Sequence, residues 1–297
     1  ASSDGSLDYG GQWVMLEALS DLGGALGAQS LPNSASNRYA DPDTSAMFLG
    51  AAEMLFGALA DRQPADVEET SLAIQALTWY AANTTSAENK AAAIAKISAL
   101  GDSLAAASTV TATEKAFAVR GLLEAYRVSG NAALLDSAVA SYNALYADFN
   151  FSDGVFNSQH SYTIDNVGVI MGAINSAILF AGDKIDQTQA DELFAAVYLN
   201  LVNKSGLQQS VPPIDAGKDK FEQEDPAIFY GYPTIPMPPM AGGDFGVAPV
   251  FASEITFQNG AWSVTNARFD SAGAMHTSNE FIWFHNDEVN GFPEVSK

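Results

Sequence analysis

The sequence predicts an all-α protein built of antiparallel helical hairpins, closed into an α/α toroid or left as an open solenoid, with one small β-hairpin late in the chain. Apolar residues recur at spacings of three and four through most of the chain, and cap and stop residues divide them at short intervals. One pair of segments reads as strands, around Asn259-Gly260. Residues 1–204 form the α-hairpin array and 205–248 a long loop rich in proline, glycine and aromatic side chains. Residues 249–297 supply the strand pair and a last helix that complete the same domain.

Residues 12–28 form the first expected helix, with Trp13, Leu16, Leu19, Leu22 and Leu26 inward and Gly23-Gly24 weakening its end. Asp43 or Thr44 caps the second, in which Met47, Phe48, Ala51, Leu55 and Leu59 repeat at helical spacing. The third begins near Asp66, and Glu68 and Glu69 in its first turn suit the helix dipole. Ser86 caps a fourth over 87–107, whose alanines allow close approach of its neighbours.

The clearest stretch covers 111–149. Thr111 and Glu114 form a capping-box pattern, Phe117, Gly121, Leu122, Ala125 and Tyr126 share one face, and Ser129-Gly130-Asn131 supplies a left-handed stop. Leu134, Leu135, Ala138, Val139, Tyr142, Leu145 and Tyr146 line the return helix. One hairpin leaves its apolar stripe uncovered, so similar hairpins must stack beside it. Residues 148–162 read as a loop, after which Thr163 or Asp165 opens a helix over 167–181 that is apolar almost all round and therefore buried. Asp186 or Thr188 caps the next, residues 250–257 and 261–266 form the strand pair, and 271–285 the last helix.

The stretch AFAVRGLLEAYRVSGNAALLDSAVASYNALY resembles the helical hairpins of the six-hairpin α/α-toroid proteins, a group that includes glycoside hydrolases, polysaccharide lyases and sugar epimerases. The likeness covers about two hairpins and concerns the fold, so it implies a concave face for a saccharide and carries no catalytic motif.

With 47% hydrophobic residues, the 297-residue chain can bury a sizeable core. Its formal net charge of −22 excludes nucleic acid and anionic lipid as partners, because both are held by basic side chains. An acidic surface of this kind suits salty water or the outside of a cell, and the expected location is extracellular, periplasmic or on the cell surface. No apolar run reaches the ~18 residues of a membrane span, and the opening ASSDGSLDYGG is compatible with a terminus left by cleavage. The absence of cysteine excludes disulfides, thiolate metal sites and cysteine catalysis.

In a toroid, the leading turns of the inner helices gather around the central cavity. That rim would hold Glu68, Glu69, Glu114, Lys115, His160, Asp165, Asn166, Asp270 and His276. Hydrolysis of a glycosidic bond needs one protonated and one ionised carboxyl across a cleft, and Asp165 with Glu69 is the expected catalytic pair. The same residues in first turns also serve as caps and dipole partners. Phe229, Tyr230 and Tyr232 in the long loop, with Asn166 and His160, form the expected ligand-binding set, because rings stack on sugar faces beside acids that accept from hydroxyls. Those rings equally suit a lid packed inward.

His276 and Glu280 stand four apart on one helix face and are the candidate metal ligands. With His160, His285, Met237, Met240 and Met275 they raise a soft copper site, although methionine more often fills a core. A calcium-loop register at Asp148 fails, since its sixth position is not glycine and its twelfth is Gln159. Three functions follow: a saccharide-binding protein with or without hydrolase or lyase activity, a non-catalytic surface-assembly subunit, and a His/Met copper binder.

Overall fold

The fold, known from a computed structural model, is described for residues 8–28, 37–205, 207–209 and 250–282. Among these residues it is mostly helical, with small antiparallel sheets. The helices α1 (Tyr9–Gly27), α2 (Pro42–Leu59), α3 (Val67–Asn83), α4 (Ala87–Ala105), α5 (Ala112–Ser129) and α6 (Ala132–Asp148) come first. Strands β1 (Phe149–Asn150), β2 (Val155–Phe156) and β3 (Ser161–Thr163) lead to α7 (Ile164–Phe180) and α8 (Gln187–Val197). Then come β4 (Gln208–Gln209), β5 (Val250–Gln258), β6 (Ala261–Phe269) and α9 (Ser271–Ile282). The chain divides into two compact units, one of residues 1–109 with 117–141 and the other of 110–116 with 142–297. No described helix is long and apolar enough to cross a membrane.

In the first unit each helix starts at a side-chain cap. Asp66 accepts from Glu69 N at 2.8 Å and Ser86 from Asn89 N at 3.2 Å, as expected. Two starts differ from the expectation. Asp8 accepts from Gly11 N at 2.9 Å, so α1 begins at Tyr9. Asp41, and not Asp43 or Thr44, caps α2, because Pro42 fits the first helical position with its fixed φ and missing N–H. Helix α1 packs on α2 and α3, and α3 on α4, around Trp13, Leu16, Phe56, Ile74, Leu77 and Ile97. Tyr80 stacks on Phe56 at 4.3 Å and, with Thr84 and Asn89, donates to the Glu53 carboxylate.

The buried face of α2 is rotated from the one expected: Leu59 is buried as expected, but Ser45, Ala52 and Phe56 share its face, Phe48, Ala51 and Leu55 are half-buried, and Met47 is 63% exposed. On α1, Leu22 is likewise exposed. The cause is that α2 is apolar nearly all round, so its periodicity does not choose a face. Polar contacts choose it: Ser45 Oγ donates to Gly23 O at 2.6 Å, and Glu53 is held from the other side. Helices α5 and α6 meet at Gly130, whose φ of +69° bears out the left-handed stop. Gly121 of α5 sits so close to Leu104 and Ser71 that a Cβ there would lie 2.6 Å from Leu104 Cδ2.

In the second unit the Thr111–Glu114 box is present: Glu114 N donates to Thr111 Oγ1 at 3.2 Å, and Thr111 N to Glu114 Oε2 at 3.0 Å. Thr163 and Asn166 form a second box at the start of α7. Helix α7 is buried at every residue from Val169 to Ala177, as its all-round apolar pattern requires, between α8, α9 and the sheet. Asn259 at φ +53° and Gly260 at φ +75° close the β5–β6 hairpin in the left-handed conformation that two-residue turns favour. The segment expected as a loop over 148–162 instead pairs Phe149 with Phe156 and begins β3, which lies antiparallel to β5 with Tyr162 opposite Ile255. Strand β4 also pairs with β5.

Candidate functional site

Glu69 lies in the first turn of α3, where its backbone N–H is taken by the Asp66 cap and its side chain turns back toward the preceding loop. Arg62 grips it bidentately, Nε to Oε1 and Nη2 to Oε2, both at 2.9 Å. Ala65 N adds a bond to Oε2 at 2.9 Å and Trp13 Nε1 a longer one to Oε1 at 3.4 Å. The hydrogen bonds from Arg62 hold the carboxyl below the ordinary glutamate value, outweighing burial, and those from Ala65 and Trp13 add to the effect. The guanidinium in turn lies 3.8 Å over the Tyr9 ring. Together these residues border a pocket of about 400 Å³ lined by Asp8, Tyr9, Gly10, Arg62, Asp66, Glu68, Glu69 and Leu72.

Asp165 belongs to the second unit and Glu69 to the first. At the start of α7, Asp165 Oδ1 stands 3.6 Å from His276 Nδ1 on α9, with half of the Asp165 side chain exposed. Burial raises its carboxyl above the ordinary aspartate value and Asp270 adds to that, while His276 opposes it. Asp270 caps α9, accepting from the N–H groups of Ala272 and Gly273 at 3.0 Å. Thr277 fastens the same two helices by donating to Ile164 O at 2.7 Å.

Asn166 is a capping residue, spent on the backbone of Thr163. His160 is exposed, its ring edge-on to Phe257 at 6.4 Å and its carbonyl accepting from Phe257 N at 2.8 Å. Glu114 is likewise held by backbone donors, those of Thr111 and Val110, which lower its carboxyl. Lys115 Nζ donates to Asp148 Oδ2 at 2.9 Å, Val110 O at 3.0 Å and Ser158 Oγ at 3.2 Å.

Phe229, Tyr230 and Tyr232, like His285, Met237 and Met240, lie outside the described residues, as do residues 206 and 210–248 of the long loop expected over 205–248, in which Gln208 and Gln209 form β4. Glu280 falls on α9 by its backbone, and its side chain also lies outside them. Among the described residues no group of three or more His, Asp or Glu side chains could hold a metal ion.

Sequence reasoning did not include Asp8, Tyr9 or Arg62 in the site. Asp8 three residues before Gly11 carried a cap signal, but it sat in a stretch read as a terminus. Arg62 sat between the second and third expected helices, outside either of them. Comparison with protein-family models, curated proteins and solved structures returns no match.

The pocket combines an aromatic edge, a neutralised Arg62–Glu69 pair and the acceptor oxygens of Asp8, Asp66 and Glu68. It can accept hydrogen bonds from hydroxyl or ammonium groups beside the edge of the Tyr9 ring. Its buried carboxyl, Glu69, is stabilised as the anion.

Proposed function

We propose that this protein is an extracellular α/α-hairpin protein, of the toroid or solenoid type, that binds a neutral or cationic saccharide-class ligand in the Tyr9–Glu68 pocket without cleaving it there. The observation that carries the reading is the pocket itself, about 400 Å³ bounded by a tyrosine ring and acidic side chains. Its size is that of a small-ligand site. Its net negative lining favours hydroxyl and ammonium donors and repels anionic groups, as does the chain's charge of −22. Binding is favoured over hydrolysis because Glu69, one carboxyl of the expected catalytic pair, is stabilised as an anion by Arg62 and so is a poor proton donor to a leaving group, while Asp165, the other, belongs to the second unit.

The test is calorimetric titration with neutral, amino and acidic oligosaccharides, run beside an assay for new reducing ends. Neutral or amino sugars should bind, Tyr9→Ala and Glu68→Gln should weaken binding at unchanged melting temperature, and no reducing ends should appear. Equal binding by Tyr9→Ala, or no binding by any sugar, overturns the reading.

A hydrolase reading finds its support in the second unit, where the raised Asp165 carboxyl lies near Asp270. That chemistry needs one carboxyl held protonated with a second carboxyl across the cleft. It predicts glycan cleavage that Asp165→Asn abolishes at unchanged stability, and no cleavage by the parent protein would remove it.

A further inference from the structure

We propose that two copies of this chain pair through α2, lying antiparallel about a two-fold axis at Ala52. Helix α2 contains a seven-residue repeat, Met47-Phe48-Leu49-Gly50-Ala51 followed by Met54-Leu55-Phe56-Gly57-Ala58. Its Met and Gly positions alternate at spacings of three and four, the seam of a coiled-coil helix. That seam faces solvent. Met47 is 63% and Met54 80% exposed, and a Cβ built on Gly50 or Gly57 would meet no atom within 4 Å.

Every exposed residue between Asp43 and Asp61 is uncharged: Ala46, Met47, Gly50, Met54, Gly57 and Ala58. Helix α1 also exposes uncharged residues, Val14, Met15 and Leu22 among them, so both of the first two helices carry uncharged faces on a chain of net charge −22.

The order of these residues selects the occupant. They are arranged symmetrically about Ala52, so an antiparallel second copy sets Met47 against the partner's Gly57, Met54 against the partner's Gly50, and Ala46 against the partner's Ala58. Each protruding thioether thus meets a gap, and each gap receives one. A parallel copy would stack Met on Met and Gly on Gly, leaving alternate layers crowded and empty. An unrelated helix gives no reason for protrusions and gaps to mirror each other within one strand of sequence.

Two features limit the strength of the pair. A single helical seam is smaller than the ~1,600 Å² of a standard stable interface, so association is weak and depends on concentration. The antiparallel arrangement also brings Asp43 opposite the partner's Asp61 at both ends, adding to the repulsion between two strongly acidic copies. Salt screens that repulsion and strengthens the apolar contact, so association rises with ionic strength.

Sedimentation equilibrium of the full chain from about 10 to about 500 μM, at about 0.1 and 1 M NaCl, tests the proposal. A monomer–dimer equilibrium that strengthens with salt is expected, and a monomer throughout overturns it. Gly50→Gln fills the gap with a polar side chain whose Cβ meets no atom of its own chain within 4 Å. It should leave the circular dichroism and melting temperature of the monomer intact and weaken association about tenfold or more, the scale of an interface hot spot. Undiminished association overturns the proposal. Because the chain has no cysteine, Met47→Cys and Gly57→Cys variants can be mixed and oxidised to read the register directly. The mixed disulfide is expected, and a preference for the Met47→Cys homodimer excludes the antiparallel arrangement.

Discussion

Gly121 and Gly50 both lie inside long helices, α5 and α2, so alanine at either site gains the same helix propensity, about 0.8–1 kcal/mol. Their surroundings set the sign of the outcome. At Gly121 the new methyl would sit 2.6 Å from Leu104 Cδ2, 3.0 Å from Ser71 Oγ and 3.1 Å from Ser71 Cα. Leu104 is 3% exposed and has little room to swing away, and Ser71 Cα belongs to the α3 backbone. Helices α3 and α5 must part by a few tenths of an ångström, an overpacking cost of about 1–3 kcal/mol. Subtracting the propensity gain leaves Gly121→Ala destabilising by about 1 kcal/mol. At Gly50 no atom lies within 4 Å, so the propensity term stands alone and Gly50→Ala stabilises by about 0.5–1 kcal/mol. The gap between the two variants is the overpacking cost itself, about 1–3 kcal/mol, whatever the propensity scale. Urea unfolding at about 1 μM, where weak pairing is absent, with a common m-value for both variants, measures it. If Gly121→Ala proves as stable as Gly50→Ala, α5 does not press on α3 at Ser71, and the stacking of hairpins in the first unit is wrong.

Leu122→Ala, at a side chain 1% exposed, should cost about 2–5 kcal/mol in the same assay, and a result near zero would turn the α5 stripe to water. Thr111→Ala removes one half of a capping box and should cost about 1 kcal/mol, with Glu114→Gln costing less because its amide oxygen still accepts. Glu53, Glu69 and Glu114 all have carboxyls below the ordinary value, so their stabilisation is complete above the unfolded-chain value and is lost as pH falls through the folded ones. Unfolding free energy should therefore hold steady from neutrality to about pH 5 and fall below about pH 4.5, more gently in Glu69→Gln. Asp165 has the opposite sign: its raised carboxyl weakens the fold when ionised, and the penalty is relieved on acidification. Asp165→Asn should leave the melting temperature at pH 7 unchanged or higher, and a clear drop would make it a stabilising anion.

Features legible in the sequence were those decided within one turn of chain. Asp66, Ser86 and Thr163 cap because a short oxygen-bearing side chain reaches an amide two or three residues on, and Asn259-Gly260 turns because both residues accept a positive φ. The buried face of α2 was not legible, because a helix apolar on both sides offers two stripes of equal merit and long-range contacts at Ser45 and Glu53 choose between them. The addition of β3 to β5 depends on a pairing across about ninety residues, for which two or three residues carry no pattern. In the candidate site Glu69 was visible as a first-turn acid, but its role was not. The Trp13 bond and the Tyr9 ring come from α1 and the Arg62 grip from the segment between α2 and α3, and only their convergence turns a first-turn acid into a fixed anion.

That convergence is most directly tested by following the Glu69 carboxyl carbon through a pH titration by ¹³C NMR. A fixed anion beside Arg62 should titrate below the ordinary glutamate value of about 4.3, and Arg62→Gln should raise the midpoint. A midpoint above the ordinary value in the parent protein would place a proton donor in the pocket and contradict a site that holds its ligand without cutting it.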